Sequence, residues 1–243
     1  MPCRTGKRKA LRCAVRKNST MRCQFAANAY EFAGQLERSV QLKQQLLEQN
    51  RILEGPTHPA TLNAMHALAW DYGLMGRLEE SQALYEKFFA LRNTGFGYGY
   101  EFQRYVCICQ WAGKYDQVDK PLREALKQPR ADRGSVGERN NTANLLGFLA
   151  LNLLLQERYD EAEPIAREAV SMNQTGDAKF SFWVGVLGAV RLGQKEYADA
   201  EPLLLKAYEG MKQAEGINLH HKRRTAEIGG WIIRLYEATN QPE

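Results

Sequence analysis

Residues 76–91 read GRLEESQALYEKFFAL. A glycine is followed two residues on by Leu78, three further on by the small Ser81, and then by Tyr85 and Phe88 at helical spacing. The phrase recurs at 34–47 (GQLERSVQLKQQLL), 113–126 (GKYDQVDKPLREAL), 157–170 (ERYDEAEPIAREAV) and 195–208 (KEYADAEPLLLKAY). The aligned positions Leu36, Leu78, Tyr115, Tyr159 and Tyr197 are 42, 37, 44 and 38 residues apart. One supersecondary unit repeating at that period implies a solenoid, in which each unit buries its apolar face against its neighbours.

Each unit reads as two antiparallel helices. In the clearest copy the first helix runs from Pro59 to Met75 with Leu62, Met65, Leu68, Ala69 and Tyr72 on one stripe. Gly76 closes it, since glycine tolerates the left-handed conformation that ends a helix. The second helix carries Leu78, Ser81, Leu84, Tyr85 and Phe88, and small residues (Ala69, Ser81) fall where the two helices approach. Between the first two units, Gly55-Pro56 breaks one helix and Pro59 suits the first turn of the next.

The remaining composition sets limits on function. Of the formal net charge of +5, eight basic residues precede the first acidic one, Glu31, and without them the remainder carries −3. Seven of the eight lie in an arm over residues 1–21 and the eighth, Arg22, follows at once, so the basicity belongs to that end, which lacks the interleaved aromatics of a nucleic-acid surface. Nucleic acid is not an expected partner, and neither is a membrane, because no apolar run approaches the ~20 residues that span a bilayer. Five cysteines, Cys3, Cys13, Cys23, Cys107 and Cys109, contain no C-x-x-C pair. That spacing favours neither a disulfide framework nor a thiolate metal site, and a reducing cytoplasm is the expected setting.

Catalytic motifs are missing. There is no G-x-S-x-G, P-loop or H-E-x-x-H. The glycines at 95, 97 and 99 have the wrong spacing and flanks for a phosphate loop and read as a joint between units. His58 belongs to an inter-repeat joint, His66 to a helix, and His220 and His221 to a polar loop with Lys222, Arg223 and Arg224 before the last helix. None of these sets has metal-ligand spacing. Acidic pairs such as Glu79-Glu80 and Asp160-Glu161 sit in first helical turns, where the helix dipole favours them. The chain is expected to be no enzyme and to need no cofactor or metal.

The register resembles the tetratricopeptide repeat (TPR). Its pattern is met by Met65, Leu68, Ala69, Tyr72, Gly76, Leu78, Ser81, Tyr85 and Phe88, then by Phe102, Tyr105, Val106, Cys109, Gly113, Tyr115, Val118, Leu122 and Ala125. Leu146, Leu149, Ala150, Leu153, Tyr159, Ala162, Ala166 and Ala169 form a third copy, and Val184, Leu187, Gly188, Tyr197, Ala200, Leu204 and Ala207 a fourth. Ala27, Tyr30, Gly34, Leu36 and Ser39 form a worn first copy. The joint over residues 54–62, EGPTHPATL, resembles the longer repeats of kinesin light chains and their bacterial relatives. The segment from Phe182 onward is similar to the end of the repeat arrays that trail bacterial serine/threonine protein kinases.

This resemblance implies an all-α, right-handed superhelical solenoid of five helix pairs. The repeats cover about residues 22–53, 60–92, 98–128, 139–172 and 180–213, and a capping helix at 225–239 uses Trp231, Ile232, Ile233 and Leu235 to cover the apolar end. It implies a non-catalytic scaffold that binds a peptide or protein in the groove lined by the first helix of each pair, or else a detached regulatory tail of such a kinase. Groove positions in register are Asn63, His66 and Trp70, then Tyr100, Gln103, Gln110 and Trp111, then Asn144, with Leu74, Cys107, Gly147 and Leu151 alongside. The family's clamp of Lys and Asn residues for a C-terminal carboxylate is not matched at these positions.

Overall fold

The computed structural model describes residues 21–92, 99–127, 136–172, 178–213 and 219–239. The arm over residues 1–20, with Cys3 and Cys13, and the glycines at 95 and 97 lie outside these. All secondary structure among the described residues is helical. The chain divides into two compact units, one up to residue 96 and one from residue 97, where the sequence reads as a single array.

The first unit holds α1 (21–32), α2 (Leu36–Glu54), α3 (Pro59–Leu74) and α4 (Leu78–Arg92). The second holds α5 (Tyr100–Trp111), α6 (Asp116–Lys127), α7 (Val136–Leu154), α8 (Tyr159–Met172), α9 (Ala178–Gly193), α10 (Tyr197–Lys212) and α11 (Leu219–Ala238). In the first unit α2 packs on α3 and α3 on α4; in the second α7 packs on α8 and α9, and α9 on α10.

The recurring phrase is a recurring turn. Gly34, Gly76 and Gly113 have φ of 74°, 77° and 71°, and in the last two copies Glu157 and Lys195 take the same left-handed conformation at 59° and 65°. In every copy the next residue donates its N–H to the carbonyl five positions back: Gln35 to Tyr30 (2.8 Å), Arg77 to Tyr72 (2.9 Å), Lys114 to Cys109 (2.8 Å), Arg158 to Leu153 (3.0 Å) and Glu196 to Arg191 (2.9 Å). That bond, with the shorter one inside it, satisfies carbonyls the ending helix leaves without partners and turns the chain into the second helix.

The small positions explain how closely the paired helices approach. Ser39, Ser81, Val118, Ala162 and Ala200 are all fully buried, as are Ala27, Ala69, Val106 and Ala150 on the preceding helices. Where the residue is serine, its hydroxyl needs a partner inside the core and takes a backbone carbonyl: Ser39 Oγ donates to Ala27 O at 2.9 Å and Ser81 Oγ to Ala69 O at 2.5 Å. At the joint after α2, Gly55 has φ 97°, and the Thr61 hydroxyl donates to its carbonyl at 2.7 Å. His58 caps α3 by accepting from the Ala60 N–H at 3.2 Å, with Pro59 in the first turn.

The end of the chain departs from the sequence reading. The last helix begins at Leu219, not at 225, so His220–Arg224 form its first turns instead of a polar loop. The stripe explains the extension: Arg224 precedes Ile228, Trp231 and Leu235 by four, seven and eleven residues, and all four are buried. Ile233, expected to cover the apolar end, is instead exposed. α11 packs on α9 and α10, continuing the series of first helices.

Candidate peptide-binding surface

The first helix of each hairpin carries the side chains singled out by register. In the first unit, Asn63 on α3 is exposed. His66 is half-buried and its ring lies 6.0 Å from those of Tyr85 and Phe88 on α4. Trp70 is buried, with only 4% of its surface accessible, and so contributes to packing rather than to an open face.

Behind α3 lies a cluster that the sequence reading did not identify. Lys43 on α2 is fully buried, and its ammonium donates to Glu31 Oε2 on α1 at 2.6 Å and to Asp71 Oδ1 on α3 at 2.7 Å. Ser39 Oγ lies 2.5 Å from Asp71 Oδ2, so one cluster ties three helices. Burial pushes the Asp71 carboxyl up to about 6; the Lys43 charge opposes this and the Glu31 charge adds to it. The repeat register held the signal, because Lys43 fills the slot of Tyr85, Leu122, Ala166 and Leu204, all buried.

In the second unit, polar side chains on the first helices bridge neighbouring helices. Gln103 Nε2 on α5 donates to Asn141 Oδ1 on α7 at 2.8 Å, and Gln110 Nε2 donates to the Phe148 carbonyl at 2.9 Å. Asn144 Oδ1 accepts from Trp183 Nε1 on α9 at 3.0 Å. Gly147 allows that tryptophan its place, because a Cβ there would lie 2.3 Å from the indole. Tyr100 remains 54% exposed, with the Arg104 guanidinium 4.4 Å from its ring centroid.

Trp111 is half-buried, and two residues of α11 lie against its ring. The Arg223 guanidinium stands 4.0 Å from the Trp111 ring centroid and the His220 ring 5.9 Å away. Next to it, Arg224 is buried: its guanidinium lies 4.1 Å from the Phe182 centroid on α9, and Nη2 donates to Cys107 Sγ on α5 at 3.4 Å. Its carboxylate partner is Glu227, 2.8 Å away on its own helix. Burial pushes the Cys107 thiol up despite the neighbouring arginine.

Among the described residues no group of three His, Cys, Asp or Glu is placed to hold a metal ion, and no helix is long and apolar enough to cross a membrane.

Paired helices with left-handed turns in register define a helical-hairpin repeat protein. Models described as the tetratricopeptide repeat match residues 19–94 and residues 142–175, so the chain carries tetratricopeptide repeats. Among solved structures it is similar to a Podosopora anserina protein of nearly identical TPR-like repeats, assigned to the kinesin light chains. The TM-score is 0.60 at 16% identity, over 80% of this chain and 95% of that one. A singly substituted form of that protein gives 0.62 at 15% identity with the same coverage. At that identity the likeness shows the fold, paired helices of the TPR kind. No curated protein matches the sequence. None of these matches bears on the kinase-tail resemblance of the C-terminal part.

Proposed function

We propose that the chain is a non-catalytic scaffold that holds an extended peptide segment of a protein partner against the first helices of its repeats. The repeat itself carries this reading. Its second helices present acidic first turns to solvent, paired locally as in Arg77–Glu80 and Arg158–Glu161, whereas its first helices present mixed polar and aromatic side chains. Asn63 and Tyr100 are the exposed members of the register set. An amide side chain can bond a peptide backbone without demanding a sequence, and an exposed aromatic supplies area at low entropic cost. Gln103, Gln110 and Asn144 serve mainly to brace α5, α7 and α9, through the bonds described above.

A peptide array probed with the full chain tests the proposal. Peptides held by the first unit should weaken at least about tenfold for Asn63→Ala, and those held by the second for Tyr100→Ala, as loss of a single anchor does. Unchanged binding by both variants would contradict the first-helix surface as the docking face.

A further inference from the structure

The first turns of α11 lie on the surface that, under the reading just given, receives a partner. α11 has two halves of different character. From Ile228 onward it is a repeat helix, with Ile228, Trp231 and Leu235 buried. Before that it reads LHHKRRTA, and its contacts reach past α9 to α5: Arg223 and His220 to Trp111, Arg224 to Cys107.

The electrostatics make this segment separable. A buried guanidinium is costly unless paired, and pairing it with a carboxylate on the opposing helix would fasten the segment in place. Arg224 is paired instead with Glu227, three residues on in the same helix, and Arg223 lies 3.8 Å from that same carboxylate. On leaving α5 the segment takes its counter-ion with it, and both charges regain water. Among the groups left behind, Trp111 and Phe182 offer aromatic faces to another arginine or apolar side chain, beside the Cys107 thiol.

We infer that residues 219–224 are an internal occupant of the α5–α9 surface, held by Arg223 on Trp111 and Arg224 on Phe182, and that a partner peptide reaches this surface by displacing them. This rests on the scaffold reading and gives its docking face a built-in competitor.

The test uses the full chain, as wild type, as Arg223→Ala and as Arg223→Ala/Arg224→Ala. Iodoacetamide labelling is followed residue by residue by mass spectrometry at Cys107 and Cys109, both buried on α5. Each lost cation–π contact should free the segment more often, so Cys107 labelling should rise about tenfold or more in the double variant and less in the single one. Cys109 should stay protected. Arg224 acts to lower the Cys107 pKa, so its removal disfavours the reactive thiolate, and faster labelling then reports access. A fluorescein-labelled peptide of residues 219–230 should bind the double variant and not the wild type.

Cys107 as protected as in the wild type would overturn the inference, because the arginines then do not hold the segment. Cys107 and Cys109 rising together in both variants would overturn it too, since the unit then opens as a whole. So would failure of the peptide to bind a variant whose Cys107 is open. Because none of these readouts uses a partner, they fail separately from the peptide-array test of the scaffold.

Discussion

The two units solve one packing problem in opposite ways. Each buries matched positions on the second helix of one hairpin and the first helix of the next, seven residues after the turn's large residue and five before the turn. In the first unit those positions hold Lys43 and Asp71; in the second they hold Leu122 with Asn152, and Ala166 with Val190, all buried. The backbone slots therefore tolerate an ion pair, an apolar residue with an amide, or an apolar pair. What the ion pair adds is dependence on its partners: apolar side chains substitute for one another, whereas the buried Lys43 needs a carboxylate beside it, here Asp71 together with Glu31.

The largest expected effect comes from breaking this contrast on one side only. Lys43→Met leaves Asp71 buried without its counter-charge and should cost roughly 3–5 kcal/mol in urea unfolding at pH 7.5. Installing the second unit's pair, Lys43→Leu with Asp71→Asn, should recover most of that loss. A double variant as unstable as the single would show that the ion pair is structurally irreplaceable.

The same cluster gives the first unit a pH dependence. With the folded pKa of Asp71 near 6 and its ordinary value at 3.8, the folded chain holds a proton over this interval that the unfolded chain has released. This group's contribution is therefore fully present below pH 4 and is lost as pH rises through 6, a change of roughly 3 kcal/mol at most. Unfolding midpoints followed from pH 4 to 7 should show that slope in the wild type and lose it in the Lys43→Leu/Asp71→Asn chain.

In the second unit the sensitivity is steric. Gly147→Ala places a methyl group where the Trp183 indole lies and should cost about 1–3 kcal/mol, with a change in tryptophan fluorescence as the Asn144 bond breaks.

The smallest effect concerns the turns. Glu157→Gly and Lys195→Gly restore the residue that Gly34, Gly76 and Gly113 supply at the same left-handed position. Each should raise stability by about 0.5–1 kcal/mol, the relief of a left-handed side chain less glycine's entropic cost.

Much of the fold was legible because the turn and the small positions are set locally. A left-handed residue two before a large one, then a small residue three further on, marks a hairpin even where Glu157 or Lys195 stands in for glycine. The surface was less legible. Register places Trp70 and Gln110 on the groove face, yet both are buried, because a side chain between adjacent first helices can pack inward as readily as point out. The role of Arg224 was hidden for a different reason: a run of basic residues reads as a solvated loop, although its place on the Ile228, Trp231 and Leu235 stripe marks one arginine as buried.

Hydrogen exchange of the full chain, alone and with a peptide selected from the array, tests most directly whether the first helices form the docking face. Added protection is expected on first helices such as α3 and α5, with α4, α6, α8 and α10 unchanged. Protection confined to those second helices would contradict it.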